Sequence, residues 1–168
     1  EGMVDLEFDA IWKQLQDGSI RLEFPARDKT EVIGVLVEAL LEEGSVDPEL
    51  PVVEEVLRRE QVLSTGVGHG VALPHARLEG ISGTALAFGR PSQPVDVGAV
   101  DGEPADIFFL LIGDRRDPSS IVRALGRLAR LCDDARIREG LRTARTPQEV
   151  IDLFQVHESA PEARDASS

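Results

Sequence analysis

Apolar residues recur along this chain with two different periods, and the changes between them mark out its elements. Residues 5–16 carry Leu6, Ile11, Trp12 and Leu15 at helical spacing until Asp17-Gly18 ends the run. Residues 19–24 alternate polar and apolar with period two, which predicts a half-buried strand closed by Pro25. Asp28-Lys29-Thr30-Glu31 has capping-box spacing, an N-cap oxygen followed three positions later by a carboxylate able to reach back. The helix it opens is predicted to turn Val32, Val35, Leu36, Ala39 and Leu40 inward and to stop at Gly44. Asp47-Pro48 predicts another helix, with proline at its first position, Leu50, Val53, Val56 and Leu57 facing inward, and Arg58, Arg59 and Glu60 in its last turn.

Beyond residue 60 the pattern shortens to strands, predicted at 70–73, 84–88, 95–97 and 105–112. Ile107-Phe108-Phe109-Leu110-Leu111-Ile112 is apolar at every position, so this strand is expected at the centre of the sheet with both faces covered. The covering helices follow. Asp117-Pro118 opens a long one with Ile121, Val122, Leu125, Leu128, Ala129 and Cys132 in phase, and Asp133-Asp134 introduces a shorter one through Ile137 and Leu141. Thr146-Pro147-Gln148-Glu149, a second capping box, leads into Val150, Ile151, Leu153 and Phe154. Helices before, between and after the strands predict an α/β fold, a mixed β-sheet flanked by helices on both faces. We expect one domain over residues 1–157 and a disordered C-terminal tail over 158–168, where Ala, Ser, Pro and charge prevail.

Composition narrows the function. The net charge of −13 argues against general nucleic-acid binding, since phosphate backbones attract basic surfaces. The charge is uneven: residues 1–60 hold 16 acids and 6 bases, whereas residues 115–145 hold 9 arginines and 4 acids. A solvated, salt-bridged helix face is the plain reading of that basic stretch, and a docking surface is the sharper one. No apolar run approaches the roughly 20 residues a membrane helix needs, and the first residues lack a signal-peptide pattern, so a cytoplasmic protein, not embedded in a membrane, is expected. A single cysteine, Cys132, leaves no internal disulfide to form.

The chemistry concentrates in Arg59-Glu60-Gln61-Val62-Leu63-Ser64-Thr65-Gly66-Val67-Gly68-His69-Gly70-Val71-Ala72-Leu73-Pro74-His75. Its glycines follow a helix and lack the Gly-Lys-Ser/Thr of nucleotide loops, so the plain reading is a tight turn needing positive φ, and the functional one adds bare N–H groups converging on an anion. Strand alternation sets positions 69, 71, 73 and 75 on one side, so both histidine rings are expected to face one pocket if the strand runs that far. Two histidines six apart, with the third, His157, remote, make a poor zinc site. Serine hydrolysis lacks its Gly-x-Ser-x-Gly elbow. Phosphoryl acceptance fits better, because a neutral imidazole is nucleophilic and the transfer needs positioning and charge stabilisation above all. His75, as the acceptor, and Arg59 are the candidate catalytic residues, with Ser64, Thr65, Gly66, Gly68 and His69 as candidate phosphate-binding residues. No cofactor or metal is called for.

These residues resemble a known family. Arg59-Glu60, Ser64-Thr65-Gly66-Val67-Gly68, Gly70-Val71-Ala72-Leu73-Pro74-His75 and Leu125-Gly126-Arg127-Leu128-Ala129-Arg130-Leu131 are similar to the type-2 EIIA domains of the bacterial phosphotransferase system, which include fructose and mannitol IIA components and nitrogen-regulatory IIA-like proteins. The resemblance covers residues 5–155 and implies a mixed sheet flanked by helices. It further implies that His75 accepts a phosphoryl group from phospho-HPr, that Arg59 lies near the phosphate, and that a IIB domain or a regulated kinase or transporter is a further partner. One departure stands out: the family usually carries a second active-site histidine at the start of the helix after the central strand, and register puts Ile121 there. His69 is a candidate to compensate, against the plainer reading of an incidental loop residue. A stand-alone domain, without an attached IIB, IIC or HPr segment, is expected, which suits a regulatory protein at least as well as a transporter subunit. Two functions stay open: a phosphocarrier acting through His75, and a binding module that retains the fold without efficient transfer.

Overall fold

The computed structural model describes residues 10–62 and 64–159. In chain order the elements are α1 (Ile11–Gln14), a 3-10 turn at Asp17–Ser19, β1 (Ile20–Phe24), α2 (Lys29–Glu42), α3 (Val52–Val62), β2 (Gly66–Gly68), β3 (Val71–Ala72), β4 (His75–Leu78), β5 (Thr84–Pro91), β6 (Ile107–Asp114), α4 (Pro118–Cys132), α5 (Ala135–Thr143) and α6 (Pro147–Glu158). The first expected helix is represented by α1 alone, since residues 5–9 lie outside the described residues.

The strands form one mixed sheet in the order β1-β5-β6-β3-β2, with β4 also paired to β6. β6 is central, antiparallel to β5 and parallel to β3 and β4. Its side chains divide by period two: Phe108, Leu110 and Ile112 enter a core beneath α2 and α3, whereas Ile107, Phe109 and Leu111 enter a second core beneath α1, α4, α5 and α6. Burial on both faces explains the uninterrupted apolar run.

The structure corrects several expected boundaries. The helix expected at Asp47-Pro48 begins at Val52; residues 47–50 instead form a turn in which the Leu50 N–H donates to the Asp47 carbonyl over 3.0 Å. On α2 the inward face is Val32, Ile33, Leu36, Val37, Ala39 and Leu40, so Val35 gives way to Ile33 and Val37. On α4, Val122 and Ala129 face solvent and Ala124 faces the core. The strand expected at 95–97 is a single antiparallel bridge, Val95 to Ala105. β5 continues past Phe88 to Pro91, because β1 pairs with its last four residues. Glu158, expected to begin the tail, ends α6 and accepts hydrogen bonds from the Ile11 and Trp12 N–H groups, 2.9 Å each. It thereby satisfies the first turn of α1, whose N-cap Ala10 offers no side-chain acceptor. Residues 160–168 lie outside the described residues.

Candidate functional site

The strand expected at 70–73 is only Val71–Ala72, and a further strand that was not expected begins at His75; the interruption shapes the site. β3 and β4 lie end to end along β6 in one register, Val71 opposite Ile107 and His75 opposite Leu111. Between them Pro74 has no N–H to contribute, although its carbonyl accepts from the Leu111 N–H at 3.0 Å. Leu73 turns its N–H to the Thr65 carbonyl at 3.0 Å, and its own carbonyl lies 2.9 Å from His75 Nδ1. A carbonyl only accepts, so Nδ1 carries the proton and Nε2 keeps its lone pair.

His75 is half-buried and lines a cavity of about 550 Å³. Burial pushes its pKa down from the ordinary 6.5; the bond to the Leu73 carbonyl opposes this, and the guanidinium of Arg59 adds to it. The ring is therefore neutral at neutral pH. One wall of the cavity is the last two turns of α3, with Glu55, Arg58, Arg59 and Val62. The β4 residues Ala76 and Arg77 and the loop residue Arg115 line it as well. Ile121, Val122 and Leu125 supply the α4 side. Ile121 is buried there, its side chain close against Gly113, and presents only hydrocarbon. An imidazole with a free Nε2, guanidiniums nearby and apolar residues on the α4 side can hold an anion against the ring.

The remaining expected site residues do not line this cavity. Ser64 donates its hydroxyl to the Val97 carbonyl and accepts from the Gly66 N–H at 3.2 Å. Thr65 gives both its hydroxyl and its N–H to the Glu60 carboxylate. Gly66 fits against Val97 where a Cβ would come within 2.7 Å of it, and Gly68 has φ 95°, a left-handed value that favours glycine. Ser64, Thr65 and the glycines of β2 thus serve as bracing. His69 does not share a pocket with His75, which corrects the single-pocket expectation. It occupies a left-handed turn at φ 59°, donates its N–H to Asp101 Oδ2 and lines a separate cavity with Asp106 and Arg142. The cause is local: the strand does not extend back to position 69, so alternation stops at Val71. Among the described residues no cluster of three or more His, Cys, Asp or Glu could hold a metal ion, and no helix is long and apolar enough to cross a membrane.

Sequence reasoning undervalued Glu60. This buried carboxylate lies in the last turn of α3, pairs with Lys29 Nζ at 3.4 Å, takes both Thr65 bonds and opposes the lowering of the His75 pKa. Its signal was a charged residue at an inward-facing helical position, one turn after Val56.

Comparison with known proteins places this arrangement. The family model for the phosphoenolpyruvate-dependent sugar phosphotransferase system, EIIA 2, matches residues 13–156. The fructose-specific EIIABC component of that system from Bacillus subtilis is 32% identical over 148 residues; these are 88% of this chain, which spans only 23% of that relative. The nitrogen regulatory protein IIA-Ntr of Neisseria meningitidis superposes with a TM-score of 0.79 at 30% identity, over 86% of this chain and 98% of that one. Mannitol enzyme IIA of Escherichia coli, solved in complex with phosphorylated enzyme IIB, superposes with a TM-score of 0.71 at 25% identity, over 84% and 96%. Since the family match runs through every strand and both helical layers, the chain belongs to the type 2 EIIA family of the phosphoenolpyruvate-dependent sugar phosphotransferase system.

Proposed function

We propose that this protein is a cytoplasmic phosphocarrier whose His75 Nε2 accepts a phosphoryl group from a phospho-HPr-type donor and passes it to a IIB-type acceptor or signals by its phosphorylation state. The observation that carries the reading is the 2.9 Å contact of Nδ1 with the Leu73 carbonyl, which leaves Nε2 unprotonated in a cavity it shares with Arg59. In the transfer the Nε2 lone pair forms a new N–P bond while the donor's N–P bond breaks, its electron pair returning to the donor imidazole. Each ring keeps the proton it began with, and the positive ring charge moves with the phosphoryl group. The Leu73 carbonyl then faces the Nδ1–H of a cationic ring, and Arg59 offsets charge on the transferring oxygens. A IIB partner is supported by the mannitol relative, solved with phosphorylated IIB.

A second reading is favoured by Ile121: with hydrocarbon in the lining at that position, the fold serves as a regulatory binding module without efficient transfer. One experiment separates the two. Incubation with enzyme I, HPr and phosphoenolpyruvate, followed by intact mass, is expected to add one phosphoryl group to the native protein and none to His75→Ala. Arg59→Ala is expected to accept it more slowly while still melting cooperatively. Absence of any adduct with a cognate donor selects the binding module.

A further inference from the structure

Because Ile121 offers no polar atom, compensation for a phosphoryl group must come from the rest of the cavity lining. Among the described residues that lining includes four arginines, Arg58, Arg59, Arg77 and Arg115, and one carboxylate, Glu55. Glu55 lies on α3 one turn before the Arg58-Arg59 pair, and its side chain is only 17% exposed. Its two oxygens are divided between two elements. Oε2 is 2.7 Å from Nη2 of Arg58 on the same helix, and Oε1 is 3.9 Å from Nη2 of Arg115 in the loop after β6. The backbone of Arg115 is anchored by its N–H to the Leu78 carbonyl at 3.0 Å, and its guanidinium stays 53% exposed. Arg115 Nη2 also donates to the Arg77 carbonyl at 3.4 Å, so one carboxylate faces two guanidiniums at the cavity where His75 lies, and Arg115 is the more loosely paired of the two.

We propose that Arg115 is a phosphoryl-binding residue and that Glu55 is its resident counter-ion, exchanged for the phosphoryl group when His75 is modified. The inference rests on His75 being the acceptor. A phosphoryl group carries close to two negative charges and three acceptor oxygens, so it outcompetes one carboxylate for a guanidinium. The 3.9 Å pair with Arg115 is the looser of the two Glu55 contacts and is the one that yields; Arg58, held at 2.7 Å within its own helix turn, stays with Glu55. Arg115 then supplies the polar contact that Ile121 does not. It also links the loop leading into α4 to the phosphorylation state, because that loop exchanges an α3 partner for a ligand on β4.

The test loads His75 chemically with potassium phosphoramidate, which needs no protein donor, and follows the phosphoryl ³¹P shift against pH, with His75→Ala identifying the resonance. Removing the Glu55 charge favours the dianion, so Glu55→Gln is expected to lower the phosphoryl pKa, by roughly threefold in proton affinity, the scale of one partly screened charge pair. Arg115→Gln is expected to raise it by a similar factor, and the Glu55→Gln effect is expected to shrink when both changes are combined. Thermal melting of each variant checks that the fold persists. An Arg115→Gln titration that overlays the native one overturns the inference, as does a Glu55→Gln effect undiminished by loss of Arg115. A protein that takes phosphoramidate on His75 but nothing from phospho-HPr overturns the phosphocarrier reading alone, leaving the Arg115 assignment to its own titration. A His75 that phosphoramidate cannot modify overturns both.

Discussion

His75 combines two demands that usually conflict, a ring neutral enough to attack and a place close to positive charge. Desolvation resolves the conflict, since partial burial penalises the imidazolium more than the Leu73 carbonyl favours it, and Arg59 acts in the same direction as burial. The pH dependence follows from that sign. With its pKa below 6.5 in the folded protein, the ring resists protonation that the unfolded chain accepts. The stability associated with the neutral ring is complete above about pH 6.5 and is lost as pH falls through the folded value. Urea denaturation is therefore expected to show the native protein losing more stability than His75→Gln as pH drops from 7 into that window. Equal losses would mean the ring is not desolvated in solution. Glu60 illustrates the same scale: a buried carboxylate persists because Lys29 and two groups of Thr65 satisfy it.

Among the elements, helix starts followed the sequence where a side chain could cap them and departed from it at Asp47-Pro48. Asp28 and Thr146 accept the N–H groups of Glu31 and Glu149 as expected, at 3.0 and 3.2 Å. The carboxylates of Glu31 and Glu149 do not return to the N-cap N–H; each reaches one residue further out, to Arg27 N at 2.7 Å and Arg145 N at 3.0 Å. Both helices are thus fastened to the preceding chain as well as capped. Thr146→Ala is expected to lower stability by about 1 kcal/mol, the usual cost of losing an N-cap oxygen, read as a shift in denaturation midpoint. An unchanged midpoint would show that Glu149 holds this start by itself. At α3, the start expected at Asp47-Pro48 moves to Val52, and Asp47 spends its side chain on a turn, accepting from Glu49 N at 2.9 Å.

At the scale of the whole molecule, β6 divides two cores, and Phe109 lies deep in the one beneath α4 and α6. It is fully buried, with ring centroids 4.9 Å from Phe88 and 5.7 Å from Phe154, so it joins β5, β6 and α6. Phe109→Ala is expected to destabilise the protein by about 3–5 kcal/mol in chemical denaturation, the range for emptying a large aromatic site. A loss under about 1 kcal/mol would show that the core collapses around the gap. The Glu158 contact with α1 acts over the same distance scale, closing the chain's two described ends on each other across 146 and 147 residues.

What the sequence determined by itself were properties written in local periodicity and local chemistry: an apolar run that needs two covered faces, capped helices on either side of the strands, and a Pro-His step carrying an imidazole. The tertiary structure decided everything that depends on residues distant in sequence. β5 runs through Gly89-Arg90-Pro91, beyond the end expected at Phe88, because β1 pairs there, Gly89 admits Leu36, and Arg90 donates to Glu23 and to the Leu141 carbonyl. The two histidines of one motif separate into two cavities because the strand between them is two residues long. The companions of His75 come from α3, the loop after β6 and the start of α4, and no spacing along the chain encodes that meeting. Periodicity fixes which way a side chain faces from its own element; which other elements lie opposite is set by sheet order and helix packing.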